Sequence, residues 1–124
     1  MIVKDSIKEL LGIKTELSKI EFSKHGLKRH LEKRQHYDVL KYLDDIDEII
    51  DNPDYVGVNE KDNKIALEYV KCYNKNVLLV LKVNKTKDKF FIASMYSIND
   101  FKLNNRKFSG RLKRLTKSKK EGIL

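Results

Sequence analysis

KIALEYVKCYNKNVLLVLKV, residues 64–83, decides the fold. Up to Tyr73 the residues alternate: Ile65, Leu67, Tyr69, Lys71 and Tyr73 face one way, and Ala66, Glu68, Val70 and Cys72 face the other. A period of two marks a strand with two unlike faces. Asn74-Lys75-Asn76 is a turn, and residues 77–83 are a nearly continuous apolar run that predicts a central strand. Residues 84–88 form a second polar turn, and KFFIASMYS, residues 89–97, predicts a further strand. Connections this short join antiparallel neighbours, so the centre of the chain reads as a meander. Residues 55–58 add a short extended piece in front of it.

Before Pro53 the period is helical. In DVLKYLDDIDEIIDNPD, residues 38–54, Val39, Leu43, Ile46 and Ile50 recur at helical spacing, and Leu40 and Ile49 widen the stripe. Asp38 is the expected N-cap. Asn52-Pro53 is the expected stop, because the residue before a proline is pushed out of the α region. A shorter helix is expected from Lys24, capped by Ser23, with Leu27 and Leu31 as its apolar stripe. Residues 3–12, VKDSIKELLG, predict a first helix that ends at Gly12, puts Ile7, Leu10 and Leu11 on one side and makes only peripheral contacts. Helices first and a sheet afterwards is an α+β plan with the helices packed on one face. No internal repeat is visible.

The chain has 124 residues, which is most simply one domain. No run of about 18 apolar residues exists, so no membrane-spanning helix is expected. The N-terminal stretch MIVKDSIKELLGIK is too short and too charged for a secretory signal. Cys72 is the single cysteine and has no internal partner for a disulfide, which fits a cytoplasmic protein. Net charge is +9, and its distribution is uneven. Residues 102–120, KLNNRKFSGRLKRLTKSKK, hold nine Lys or Arg and no acid, and the remaining 105 residues balance 18 bases with 18 acids. A block of this kind attracts polyanions: RNA, DNA or an anionic membrane face.

All three histidines lie in HGLKRHLEKRQH, residues 25–36, among Lys28, Arg29, Lys33 and Arg34. They are spaced five and six apart, not the four that sets two ligands on one helix face, so no metal site is expected. There is no glycine-rich phosphate loop, no cysteine cluster and no G-x-S-x-G, and no cofactor is implied. What remains is His with Lys, Arg, Tyr and Ser. Those groups suffice to cut RNA through its own 2′-hydroxyl. The reaction needs a base, an acid and positive charge on the pentacoordinate phosphate. On one unbroken helix the three histidines cannot serve a single phosphate. A break near Gln35 would free His36, and His30 and His36 are the expected pair.

The segments HLEKRQHYDVLKYLDDIDEIIDNPDYVGVN, EYVKCYNKNVLLVLKVN and FFIASMYSINDFKLNNRKFSGRLKR resemble the phage-borne nucleases of the barnase–EndoU–colicin–RelE group, the PBECR families. The likeness runs over roughly residues 22–115. It implies N-terminal helices packed on a four- or five-stranded antiparallel, barnase-like sheet. The implied division is a helical extension at 1–20, a nuclease domain at 21–115 and a basic tail at 116–124. It also implies metal-independent RNA cleavage. Carried over by motif, the helix histidine falls on His30 and His36, V-K on Lys71, S-x-Y on Ser94 and Tyr96, and S-G-R on Ser109 and Arg111. His30, His36, Lys71, Ser94 and Tyr96 are thus the candidate catalytic residues. Arg29, Arg34, Tyr69, Arg111 and Lys113 are the candidate substrate-binding residues. Tyr69 and Lys71 share one strand face, Ser94 and Tyr96 share another, and the two faces are expected to form one cleft wall.

Three readings follow. The first is an endoribonuclease that leaves a 2′,3′-cyclic phosphate, in a phage or mobile-element setting. The second is an inactive RNA-binding or structural module of the same fold. The third is a toxin-type effector RNase, whose partner would be an acidic immunity or antitoxin protein. No aromatic-rich loop offers an evident platform for stacking bases.

Overall fold

The computed structural model describes residues 1–61 and 64–115. In chain order they form α1 (Asp5–Leu11), β1 (Ile20–Glu21), α2 (Lys24–Lys33), a 3₁₀ helix (Tyr37–Asp45), α3 (Ile46–Asp51), β2 (Tyr55–Lys61), β3 (Lys64–Cys72), β4 (Asn76–Val83), β5 (Phe90–Ile98), α4 (Asp100–Phe108) and β6 (Leu112–Arg114). The basic tail expected at 116–124 lies outside the described residues.

The fold is α+β. The sheet order is β1-β5-β4-β3-β2-β6. The meander β2-β3-β4-β5 is antiparallel, as the short turns require. Two additions correct the expected four or five antiparallel strands to six mixed ones. β1 runs parallel to β5, and β6 adds antiparallel to β2. Both are two or three residues long, too short to show a period in the sequence.

The two sides of the sheet are unlike. On one side Val56, Leu67, Tyr69, Val77, Leu79, Leu81, Phe90, Ile92 and Met95 pack against α1, α2, the 3₁₀ helix and α3 in one cluster. Each fully buried aliphatic side chain contributes about 1.5 to 3 kcal/mol, so this layer sets the stability of the fold. Val3 and Ile7 are 1% and 2% exposed, which corrects the peripheral role expected of the first helix. On the other side a smaller cluster of Tyr55, Val70, Leu78, Ile98, Leu103 and Leu112 seats α4 over one end of the sheet. The rest of that side is open. α4 also corrects the expectation that helices cover one face alone.

Local signals act as the sequence implies. Gly12 ends α1 in the left-handed conformation, φ +69°. Ser23 Oγ accepts from Gly26 N–H and caps α2. α3 stops at Asp51, before Asn52-Pro53. Asp38 is not a cap. Its carboxylate accepts from Ser97 Oγ at 2.6 Å and ties the 3₁₀ helix to β5.

One irregularity positions the site. Along β5, Ile92 pairs with Leu81 of β4 but Ser94 pairs with the next residue, Val80, so Ala93 is an extra residue. A bulge of this kind reverses which side chains face which way. Before it, Phe90 and Ile92 point into the helical layer. After it, Ser94 and Tyr96 point to the open side, and Met95 takes the core position.

Candidate active site

α2 runs along the β5 side of the sheet with Leu27 and Leu31 buried in the core. This leaves His30 at the rim of the open side. Its Nε2 lies 3.2 Å from Ser94 Oγ. Burial lowers the His30 pKa below its usual value, and Arg34, His36, Lys82 and Lys33 lower it further by repulsion. The shift favours the neutral imidazole, the form able to accept a proton.

The helix breaks where the sequence allowed. Gln35 has φ +61°, and His36 N–H closes back on Leu31 O at 2.8 Å. That reversal brings the His36 ring to 5.8 Å from the Tyr96 ring, centroid to centroid. His30 and His36 therefore face two residues of β5 that stand two apart on one face.

Across the open side lies an ion pair. Arg111 donates from Nε to Glu68 Oε1 at 2.9 Å and from Nη2 to Oε2 at 2.5 Å. The Glu68 side chain is 3% exposed and that of Arg111 is 34%. Hydrogen bonding to Glu68 raises the Arg111 pKa further, so the guanidinium is permanently charged. Two of its five N–H groups serve Glu68, and three remain for a ligand. Glu68, Val80 and Ser94 are neighbours across three strands. Arg111 and His30 thus stand on either side of a gap about 10 Å wide, two strand spacings.

Gly57 makes this arrangement possible. It pairs with Glu68 on one side and Leu112 on the other. A Cβ there would stand 2.2 Å from the Arg111 carbonyl oxygen. Only glycine lets the backbone at Arg111 lie against β2. Neither Gly57 nor Glu68 was singled out from sequence. The visible signal was an acidic residue in the middle of the strand 64–72, on the face opposite the large apolar residues. Lys82 was missed for the same reason.

The structure thus brings together His30, His36, Ser94, Tyr96 and Arg111. Arg34 is exposed at the end of α2 and acts on His30 through its charge. Arg29 is exposed and lines a shallow depression beside His30 with Gly26, Glu32 and Lys33. Three expected residues lie elsewhere. Tyr69 is fully buried in the helical layer, where burial raises its pKa. Lys71 shares that face and donates to Asn52 O at 2.7 Å, with Glu48 3.6 Å away. The expectation that Tyr69 and Lys71 share a wall with Ser94 and Tyr96 is corrected: the bulge at Ala93 puts the two pairs on opposite sides of the sheet. Lys113 pairs with Val56 and lies on the side away from Arg111's partner Glu68. His25 is exposed at the start of α2. Among the described residues no three His, Cys, Asp or Glu side chains gather as a metal site would need. No helix among them is long and apolar enough to cross a membrane.

Residues 1–105 match the family model described as phage-Barnase-EndoU-ColicinE5/D-RelE like nuclease 3, PBECR3. The chain belongs to this family. The family is described as nuclease-like, which associates this PBECR3 chain with nuclease activity on nucleic acid. His30, His36, Glu68, Ser94 and Tyr96 fall inside the matched segment, and Arg111 falls beyond it. No curated protein and no solved structure matches the chain.

Proposed function

We propose that this PBECR3 chain is an endoribonuclease that cuts RNA by attack of the substrate's own 2′-hydroxyl and needs no metal ion. One observation carries the reading: a histidine set against Ser94 at the rim of an open strand surface, its pKa lowered by burial, facing an arginine held charged across it. These are the base and the phosphate ligand that the reaction requires.

Ser94 orients the His30 ring until a 2′-hydroxyl takes its place at Nε2. His30 accepts the 2′-hydroxyl proton as O2′ bonds to phosphorus. The phosphorus–O5′ bond breaks, and His36 in its protonated form donates a proton to O5′. The products are a 2′,3′-cyclic phosphate and a free 5′-hydroxyl. Arg111 places its remaining N–H groups on the phosphate oxygens, where charge builds in the transition state. Tyr96 holds His36 by ring contact. Arg29 and Arg34 draw the polyanion toward the rim. Lys71, on the other face, is outside this set. A phage setting and an acidic inhibitor protein remain part of the same proposal, supported by the family and by the charge of +9.

The test is cleavage of mixed tRNA and rRNA in chelator by the wild type and by His30→Ala and His36→Ala proteins. The expected result is discrete products with cyclic phosphate ends, and a loss of about a hundredfold or more in either variant. Intact RNA with the wild type, across substrates that it binds, refutes the nuclease reading. Cleavage abolished by chelator refutes the mechanism.

A further inference from the structure

Two large apolar side chains on α4 have no place in the fold. Phe101 and Phe108 are 73% and 90% exposed. They stand seven residues apart, which puts them within about 20° of each other around the helix and about 10 Å apart along it. Asn104 and Asn105 lie between them on the same face, also exposed. The opposite face is fixed, because Leu103 is buried on the sheet.

The surroundings are strongly basic. On this side of the sheet residues 100–115 carry Lys102, Arg106, Lys107, Arg111 and Arg114 against one acid, Asp100, with Lys107 and Arg114 stacked over the Tyr55 ring at 4.9 and 5.7 Å. Asp100 is already engaged, accepting from Asn76 Nδ2 at 2.8 Å. The face also adjoins the candidate site. Tyr96 packs against the cluster that seats α4. Arg111 follows Phe108 by three residues, at most about 11 Å of chain.

We infer that this face of α4 is a base-stacking platform for single-stranded RNA, with Phe101 and Phe108 as the stacking rings. Aromatic rings beside cations suit an unpaired strand, whose bases are free to stack while its phosphates meet Lys102. Duplex RNA hides its base faces and gains nothing from the rings. The exposed amides of Asn104 and Asn105 are placed to meet base edges between them. The inference rests on the reading of RNA as substrate and adds the strand type that the protein selects.

The test is fluorescence anisotropy with labelled single-stranded oligoadenylate and with a labelled RNA duplex. It is run in a His30→Ala/His36→Ala background, so that binding is read without cleavage. Phe101→Ala/Phe108→Ala should weaken single-strand binding roughly tenfold to a hundredfold, the scale of losing one or two stacked bases. Duplex binding and the salt slope should hold, because no charge is removed. Phe101→Tyr/Phe108→Tyr should keep the single-strand affinity, and circular dichroism should match for all variants. Equal single-strand affinity in the Ala and parent proteins overturns the inference. So does an equal loss on duplex and single strand. Unchanged RNA affinity, with a parent dimer that the Ala variant abolishes in sedimentation, assigns the face to a second copy of the chain and overturns it as well. Absence of cleavage by the wild type would remove the nuclease reading but leave this result standing.

Discussion

Arg111→Ala should destabilise the protein more than Glu68→Ala does, and the double variant should recover part of the loss. The asymmetry follows from exposure. Glu68 is 3% exposed beneath the Arg111 guanidinium, so losing Arg111 leaves a carboxylate without its cation in the middle of a sheet. An orphaned buried charge costs about 3 to 5 kcal/mol. With Glu68 gone, Arg111 is already 34% exposed and can turn its guanidinium to water. What is lost is two charge-assisted hydrogen bonds, reduced by solvent screening, for about 1 to 2 kcal/mol. Removing both groups leaves no buried charge, so the double variant should be more stable than Arg111→Ala alone. Urea denaturation of the four proteins closes the cycle. For a chain of this size the difference between the single variants corresponds to a shift in Tm of roughly 5 to 15 °C. Equal losses in the two single variants would refute the reasoning. So would a double variant with the sum of the two losses, since the pair would then not act as a buried unit.

Three further outcomes are expected. His30 has a folded pKa below its unfolded one, so the unfolded chain takes up that proton first. Stability should be full above the ordinary histidine value and fall as pH drops through it, and the acidic limb of kcat/KM should lie below that value, moving up in Lys82→Ala. Denaturation and pH–rate profiles read both. Gly57→Ala forces the backbone at Arg111 away from β2. It should cost about 1 to 3 kcal/mol by urea denaturation and lower cleavage through a displaced guanidinium. Lys71→Ala should leave kcat/KM on RNA unchanged and cost about 1 to 2 kcal/mol of stability, because its ammonium serves the Asn52 carbonyl on the helical side.

Much of the fold was legible because its signals are local. The alternation of residues 64–73, the run 77–83 and the Asn52-Pro53 stop each depend on neighbours in the chain. The 3₁₀ geometry of Tyr37–Asp45 was not legible, since its apolar stripe suits an α-helix equally well. α4 and β6 were hidden by charge. Leu103 and Leu112 are the buried residues that dock them, and the surrounding lysines and arginines read as a tail. The pairing of His36 with Tyr96 required the break at Gln35, which the histidine spacing had posed only as a condition for His36 to join His30. The face on which Ser94 and Tyr96 lie could not be read at all. Nothing in residues 89–97 marks a break in the strand, and the extra residue at Ala93 appears only when β5 is laid against β4. Glu68 was placed on the right face by alternation, yet its role depends on Arg111, 43 residues later, arriving beside it.

That late arrival has a consequence for the chain as it is made. Synthesis delivers His30 and His36 first, then the strands with Glu68, Ser94 and Tyr96, and only afterwards Arg111. The core can collapse around β2 to β5 before that point, leaving two histidines at a rim with no guanidinium opposite them. The cutting centre closes only when the last short strand settles on β2 over Gly57. On the proposed reading as an RNA-cutting enzyme, the chain therefore lacks its phosphate ligand during synthesis until β6, the last strand among the described residues, is in place.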